Sequence, residues 1–194
     1  MEKILAVLDI DETLVYATSS PKDDRWDFEV HYYRVYKRPY LTEFLDGLVK
    51  DFRVAVWSSA SDDYVNEIVQ RIFPKNYPLE FVWGRSQCTH RIDYQQMEIT
   101  GYHDPYKHYH YVKRLSKLKR SRNEQLERVL IIDDTPGKAI HNYGNVIYPK
   151  EFVGDLSDDE LYWLSQYLDT LKDVENVRII EKRGWKEEIM NQKR

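Results

Sequence analysis

Residues 4–13 read ILAVLDIDET: five aliphatic residues stop abruptly at two carboxylates, Asp9 and Asp11, placed two residues apart. An unbroken apolar run of this length with β-branched members predicts a strand buried on both faces, as in a parallel sheet. It is too short, and too acidic at its end, to read as a secretion signal. Two further runs stop in the same way, residues 54–57 (VAVW) before Ser58 and residues 129–132 (VLII) before Asp133. Helical spacing of apolar residues over 40–49, 64–73 and 109–118 separates or follows these runs, and shorter strands are expected at 80–83 and 145–148. Strands alternating with helices predict an α/β fold, a three-layer sandwich with a mainly parallel sheet between helices. Ligands in such folds bind outside the carboxyl ends of the strands, so Asp9, Ser58 and Asp133 are expected to converge at one sheet edge.

Three segments stand outside the alternation. Residues 27–37 alternate polar and apolar side chains and read as a strand or hairpin arm, part of a small β-insertion over about residues 18–37. Residues 89–110 are rich in Tyr, His and Gln without a clear period, which reads as an enlarged loop near the active edge. Ser157 and Glu160 form a capping-box pattern ahead of Leu161, Leu164, Leu168 and Leu171, an amphipathic helix, while residues 186–194 are expected to fray.

With 194 residues and no Gly/Ser/Pro-rich linker, the chain is expected to form one domain over residues 1–194. A net charge of -4 with 32% charged and 42% hydrophobic residues excludes a strongly basic nucleic-acid binder and a disordered chain. No apolar run approaches the roughly 18 residues of a membrane span. The single cysteine, Cys88, excludes an intrachain disulfide and fits a reducing compartment, so the expected location is the cytoplasm, with the nucleus open if the source is eukaryotic.

The chemistry begins with Asp9 and Asp11. An extended backbone directs both carboxylates into one space, where they repel unless a cation lies between them or one holds a proton. Oxygen ligands without a sulfur partner favour magnesium over zinc, and Asp133 with Asp134 would supply the remaining protein ligand. A phosphate monoester repels a bare carboxylate nucleophile, so the site also needs cations and donors, for which Ser58 and Lys113 are candidates. In that reading Asp9 attacks phosphorus, Asp11 protonates the leaving oxygen and later activates water, and the Thr13 hydroxyl holds the loop and Asp11 in place.

The strings LDIDETLVYAT, KRPYLTEFL, VAVWSSAS, YVKRLSKL, RVLIIDDTP and LSDDELYWL occur in this order. From Ile4 to about Val177 the chain resembles the phosphatase domain of the RNA polymerase II C-terminal-domain phosphatases and nuclear LIM interactor-interacting factors, a branch of the haloacid dehalogenase superfamily. The resemblance implies a Rossmann-like sheet without a large cap domain, and a magnesium cofactor. It implies Asp9 as nucleophile and Asp11 as general acid/base, the Asp11 carbonyl also ligating metal. Ser58 falls on the hydroxyl residue after the second strand, Lys113 on the phosphate-neutralising lysine, and Asp133 with Asp134 on the metal carboxylates. Arg85 matches an arginine able to reach the substrate phosphate. The insertion, tyrosine-rich in place of aliphatics, matches the family only near its end, and the segment from Cys88 to His110 is longer than in close relatives.

Other readings accompany these. Ser58 also suits a helix cap, and by composition Lys113 is one of several lysines in a basic helix. His103, His108 and His110 read as solvated rather than as a second metal site, whereas Tyr102, Tyr106, Tyr109 and Tyr111 fit either substrate stacking or holding the loop down. The expected partner is a phosphorylated protein or peptide; a polynucleotide-end or small-metabolite phosphatase, or a catalytically silent binding protein on the same scaffold, are the alternatives. No membrane partner is expected.

Overall fold

The computed structural model describes residues 2–21, 23–92, 94, 98–99 and 109–192. Its centre is a five-stranded sheet in the order β10-β9-β1-β5-β6, parallel at every pairing, built from β1 (Leu5–Leu8), β5 (Arg53–Trp57), β6 (Leu79–Trp83), β9 (Val129–Ile132) and β10 (Val146–Ile147). β1 is apolar throughout because both its faces are covered. Ile4, Ala6 and Leu8 enter one core with α1 (Leu41–Asp51), α2 (Asp62–Ile72) and α4 (Glu160–Leu171), while Leu5 and Val7 enter a second core with Leu115, Leu118 and Ala139. A strand's period of two divides one aliphatic run between two layers.

Register then aligns the strand ends. Leu8 lies beside Val56 on one side and Ile132 on the other, so Asp9, Ser58 and Asp133 leave the sheet at one edge. The Asp9 N–H donates to the Ile132 carbonyl at 2.9 Å, which carries the pairing into the loop that follows.

The insertion is a three-stranded antiparallel sheet, β2 (Val15–Thr18), β3 (Phe28–Val30) and β4 (Tyr33–Lys37), in the order β2-β4-β3. β3 and β4 meet through a tight turn at His31 and Tyr32, with His31 in the left-handed region at φ 52°. The strand or hairpin arm expected over 27–37 is a whole hairpin, both arms and their turn.

The long segment after Cys88, read as an enlarged loop near the active edge, begins and ends in strands. Thr89–Ile92 (β7) pairs antiparallel with Tyr109–Val112 (β8), so the segment is rooted in a two-stranded ladder. Thr-His-Arg-Ile and Tyr-His-Tyr-Val carry β-branched and aromatic side chains that favour extended backbone once they have a partner strand. For the same reason the helix expected over 109–118 is a strand followed by the short α3 (Ser116–Arg122). Tyr102, His103, Tyr106 and His108 lie outside the described residues.

Two further expectations are corrected near the end of the chain. No capping box forms: Ser157 bonds Asp155, and the Glu160 carboxylate accepts from the Lys150 N–H at 2.8 Å and the Lys186 ammonium at 2.7 Å. Buried Glu160 is thus engaged in tying a loop and the last helix together. The stretch expected to fray is helical over its described length, α5 (Trp185–Gln192), with Trp185 and Ile189 buried and Trp185 Nε1 donating to the Tyr148 carbonyl.

Candidate active site

The loop leaving β1 is bent by Glu12, whose φ of 58° is left-handed, and the Leu14 N–H returns to the Ile10 carbonyl at 2.8 Å. Arg38 fixes this loop from beneath. Its guanidinium is fully buried, donates to the Thr13 carbonyl at 2.9 Å and the Lys150 carbonyl at 2.7 Å, and holds Asp158 in a two-bond ion pair at 2.7 and 2.9 Å. Such a paired, planar geometry suits arginine and not lysine.

Asp9 is buried. Its Oδ1 accepts from the Ile10 N–H at 2.8 Å and lies 2.9 Å from Lys113 Nζ, and its Oδ2 accepts from Lys138 Nζ at 3.0 Å. Burial pushes this carboxyl up, but attraction to Lys113 and then Lys138 more than reverses that, leaving it below the ordinary carboxylate range. Lys113 is not on a helix, as its basic surroundings suggested. It follows β8 directly, is wholly buried, and bridges Asp9 to Asp133, whose Oδ2 it reaches at 2.6 Å. Burial alone would lower the lysine, and Asp133 and Asp9 instead hold it above its usual value.

Asp11 behaves differently. Burial pushes its carboxyl up to about 6, opposed by a 2.6 Å hydrogen bond from the Tyr64 hydroxyl and reinforced by the charge of Asp9. Glu12, half-exposed, is raised to about 7 by burial and by Asp11 and Asp134. Asp133 is raised to about 6 by burial and the nearby Asp9.

The Thr13 hydroxyl holds Asp134 and not Asp11. It donates to Asp134 Oδ1 at 3.1 Å and accepts from the Asp134 N–H at 3.2 Å, because the returning loop brings Thr13 against the end of β9. Asp9, Asp133 and Asp134 each offer an oxygen within 4.8 Å of the others. Three converging carboxylates, with neither sulfur nor imidazole among them, fit a hard divalent cation such as magnesium. The Asp11 carboxylate is directed to Tyr64 and is not part of this cluster.

Ser58 is buried beside the edge; its Oγ accepts from the Ala60 N–H at 3.0 Å, leaving the hydroxyl proton to donate elsewhere. The cap of α2 is Ser61, so the helix-cap reading of Ser58 does not hold. Arg85 reaches the same mouth: its Nε donates to the Ser59 carbonyl at 2.9 Å and its guanidinium lies 5.1 Å from the Tyr111 ring centroid. An open cavity of about 490 Å³ is lined by Asp11, Glu12, Tyr33, Tyr64, Arg85 and Lys138, among others. Lys138, Tyr64 and Arg38 escaped the sequence reading. The one signal for Lys138 was its place five residues beyond Asp133, in the turn that follows β9.

Comparison with known proteins accords with this arrangement. The family described as NLI interacting factor-like phosphatase matches residues 4–178. This chain belongs to that family. The CTD small phosphatase-like protein 2 of Dictyostelium discoideum is 31% identical over 91% of this chain, which spans 29% of that protein's length. Among solved structures, that of Fcp1, an essential RNA polymerase II CTD phosphatase, superposes with a TM-score of 0.54 at 14% identity, covering 97% of this chain and 62% of that one. A haloacid dehalogenase-like hydrolase from Bacteroides fragilis gives a TM-score of 0.50 at 14% identity over 83% of this chain and 93% of its own. The fold of this member of the family is therefore the haloacid dehalogenase fold, as the ordered strings implied.

Proposed function

We propose that this chain is a magnesium-dependent phosphomonoester hydrolase that acts on phosphorylated protein through an aspartyl-phosphate formed on Asp9. The observation that carries the proposal is the separation of two neighbouring carboxyls. Asp9 is kept ionised between Lys113 and Lys138, while Asp11, two residues on, is raised to about 6 and so can hold a proton near neutral pH. Neighbouring acids whose affinities for protons are driven apart suit a nucleophile and an acid/base.

In the first step an Asp9 oxygen forms a bond to phosphorus as the bond to the ester oxygen breaks, and Asp11 gives its proton to that departing oxygen. In the second, Asp11 takes a proton from water as its oxygen attacks phosphorus, and the bond from phosphorus to Asp9 breaks. Inorganic phosphate leaves, and both side chains are restored. Asp9, Asp133 and Asp134 would hold magnesium, which supplies positive charge to the phosphoryl oxygens when bound. Lys113 neutralises the buried carboxylates, Ser58 offers a hydroxyl donor, and Arg85 waits at the mouth of the cavity.

A protein substrate is favoured by the open cavity and by a human relative named carboxy-terminal domain RNA polymerase II polypeptide A small phosphatase 1. Phosphoproteins of the cytoplasm or nucleus are accordingly its proposed partners. The test is hydrolysis of p-nitrophenyl phosphate by wild type and Asp9→Asn, each with magnesium and with chelator, followed by phosphopeptides and end-phosphorylated oligonucleotides under the same conditions. The proposal requires activity that depends on both magnesium and Asp9, with phosphopeptides preferred. Equal turnover by Asp9→Asn would overturn the mechanism, and preference for oligonucleotides would overturn the substrate.

A further inference from the structure

Two lysines touch the Asp9 carboxylate, and they are not equivalent. Lys113 Nζ is fully buried and is committed to Asp9 Oδ1 and Asp133 Oδ2. Lys138 Nζ bonds Asp9 Oδ2, its side chain keeps 20% of its exposure, and it lines the open cavity with Asp11, Tyr64 and Arg85; Lys113 is not in that lining. An ammonium has three donors, and Asp9 is the one partner of Lys138 shown among the described residues, so Lys138 retains hydrogens to offer a ligand.

Its position is fixed by backbone. Lys138 sits in the turn Pro136–Ala139, its own N–H donates to the Thr135 carbonyl at 3.1 Å, and its carbonyl accepts from the Lys113 N–H at 2.8 Å. The last bond ties the two lysines together, so Lys138 is carried to the nucleophile by the same framework that carries Lys113. A dianionic phosphoryl group approaching Asp9 from the cavity reaches Lys138 before any other cation that touches the nucleophile. Donors already in place where negative charge collects need no reorganisation during reaction.

We infer that Lys138 is a further catalytic residue, the cavity-facing cation that binds the phosphoryl oxygens during transfer to Asp9 while Lys113 serves as the buried counter-charge. The assignment rests on the phosphatase reading above and deepens it. No bond to Lys138 forms or breaks; its ammonium is shared between Asp9 Oδ2 and the incoming phosphoryl oxygens.

The experiment compares wild type, Lys138→Gln, Lys138→Met and Lys138→Arg in magnesium. It measures kcat and KM on p-nitrophenyl phosphate and, by calorimetry, the Kd for inorganic phosphate; thermal melting verifies folding. Loss of about 100-fold in kcat/KM in both neutral variants, with weaker phosphate binding and substantial recovery by Lys138→Arg, is expected. Unchanged kcat/KM and phosphate Kd in a folded neutral variant would overturn it, as would a gain of activity, which would make Lys138 an inhibitory contact. If wild type hydrolyses no ester, the phosphatase reading fails by itself, and the phosphate Kd decides for Lys138: about tenfold weakening in Lys138→Gln supports the contact, and no change overturns it.

Discussion

The Tyr64 hydroxyl donates to Asp11 Oδ1 at 2.6 Å, across the 53 residues that separate the first helix turn of α2 from the loop after β1. This bond is among the forces opposing the upward push of burial on Asp11. A hydrogen bond to a charged group contributes about 1.5 kcal/mol or more, equivalent to about one pH unit. In Tyr64→Phe the Asp11 carboxyl therefore rises further above about 6. In the proposed mechanism Asp11 enters the first step protonated, so the descending limb of kcat/KM against pH is expected to move to higher pH by about one unit. A pH profile on p-nitrophenyl phosphate measures this; an unmoved limb would show that Tyr64 does not tune the acid.

Asp11, Glu12 and Asp133 have folded values raised to about 6, about 7 and about 6. Between pH 5 and pH 7 the folded chain thus binds more protons than the unfolded one, so without divalent cation its stability falls as pH rises through this window. Exposed His141, lowered chiefly by desolvation, opposes the trend weakly. Magnesium held as proposed would bind the deprotonated cluster, so the stabilisation expected from it is larger at pH 7 than at pH 5. Melting curves at the two pH values, with chelator and with magnesium, check both signs.

Arg38 is buried and Asp158 partly so; removing Arg38 leaves the Asp158 carboxylate with the Glu160 N–H alone and takes the Arg38 donor from the Thr13 and Lys150 carbonyls. Arg38→Met is expected to cost about 3–5 kcal/mol in urea unfolding. The double variant Arg38→Met/Asp158→Ala recovers part of that loss, because the orphaned carboxylate is gone. A cost below about 1 kcal/mol would show that the pair contributes little.

The central sheet was legible because β1, β5 and β9 are buried on both faces, which forces a local aliphatic run that no solvent-facing strand requires. Asp9, Asp133 and Ser58 followed from the strand ends, since register alone brings them together. Lys113 was legible through its family context; its surroundings point to a solvated helix, whereas its buried state depends on partners 104 and 20 residues away, Asp9 and Asp133. Lys138 and Tyr64 were hidden for a related reason. Each is an ordinary turn or helix residue until a distant carboxylate is placed against it. β7 and β8 likewise acquire their pattern from pairing, which no window containing one arm reveals.

β8 ends at Val112, paired with Thr89, and the next residue is Lys113. The ladder closes immediately before the lysine, so chain added or exchanged between the two arms leaves the rung that sets Lys113 unchanged. Changes of sequence beyond the outer pair, Ile92 with Tyr109, therefore need not displace Lys113 from Asp9. A descendant of this protein can vary that sequence and still inherit the buried cation beside Asp9.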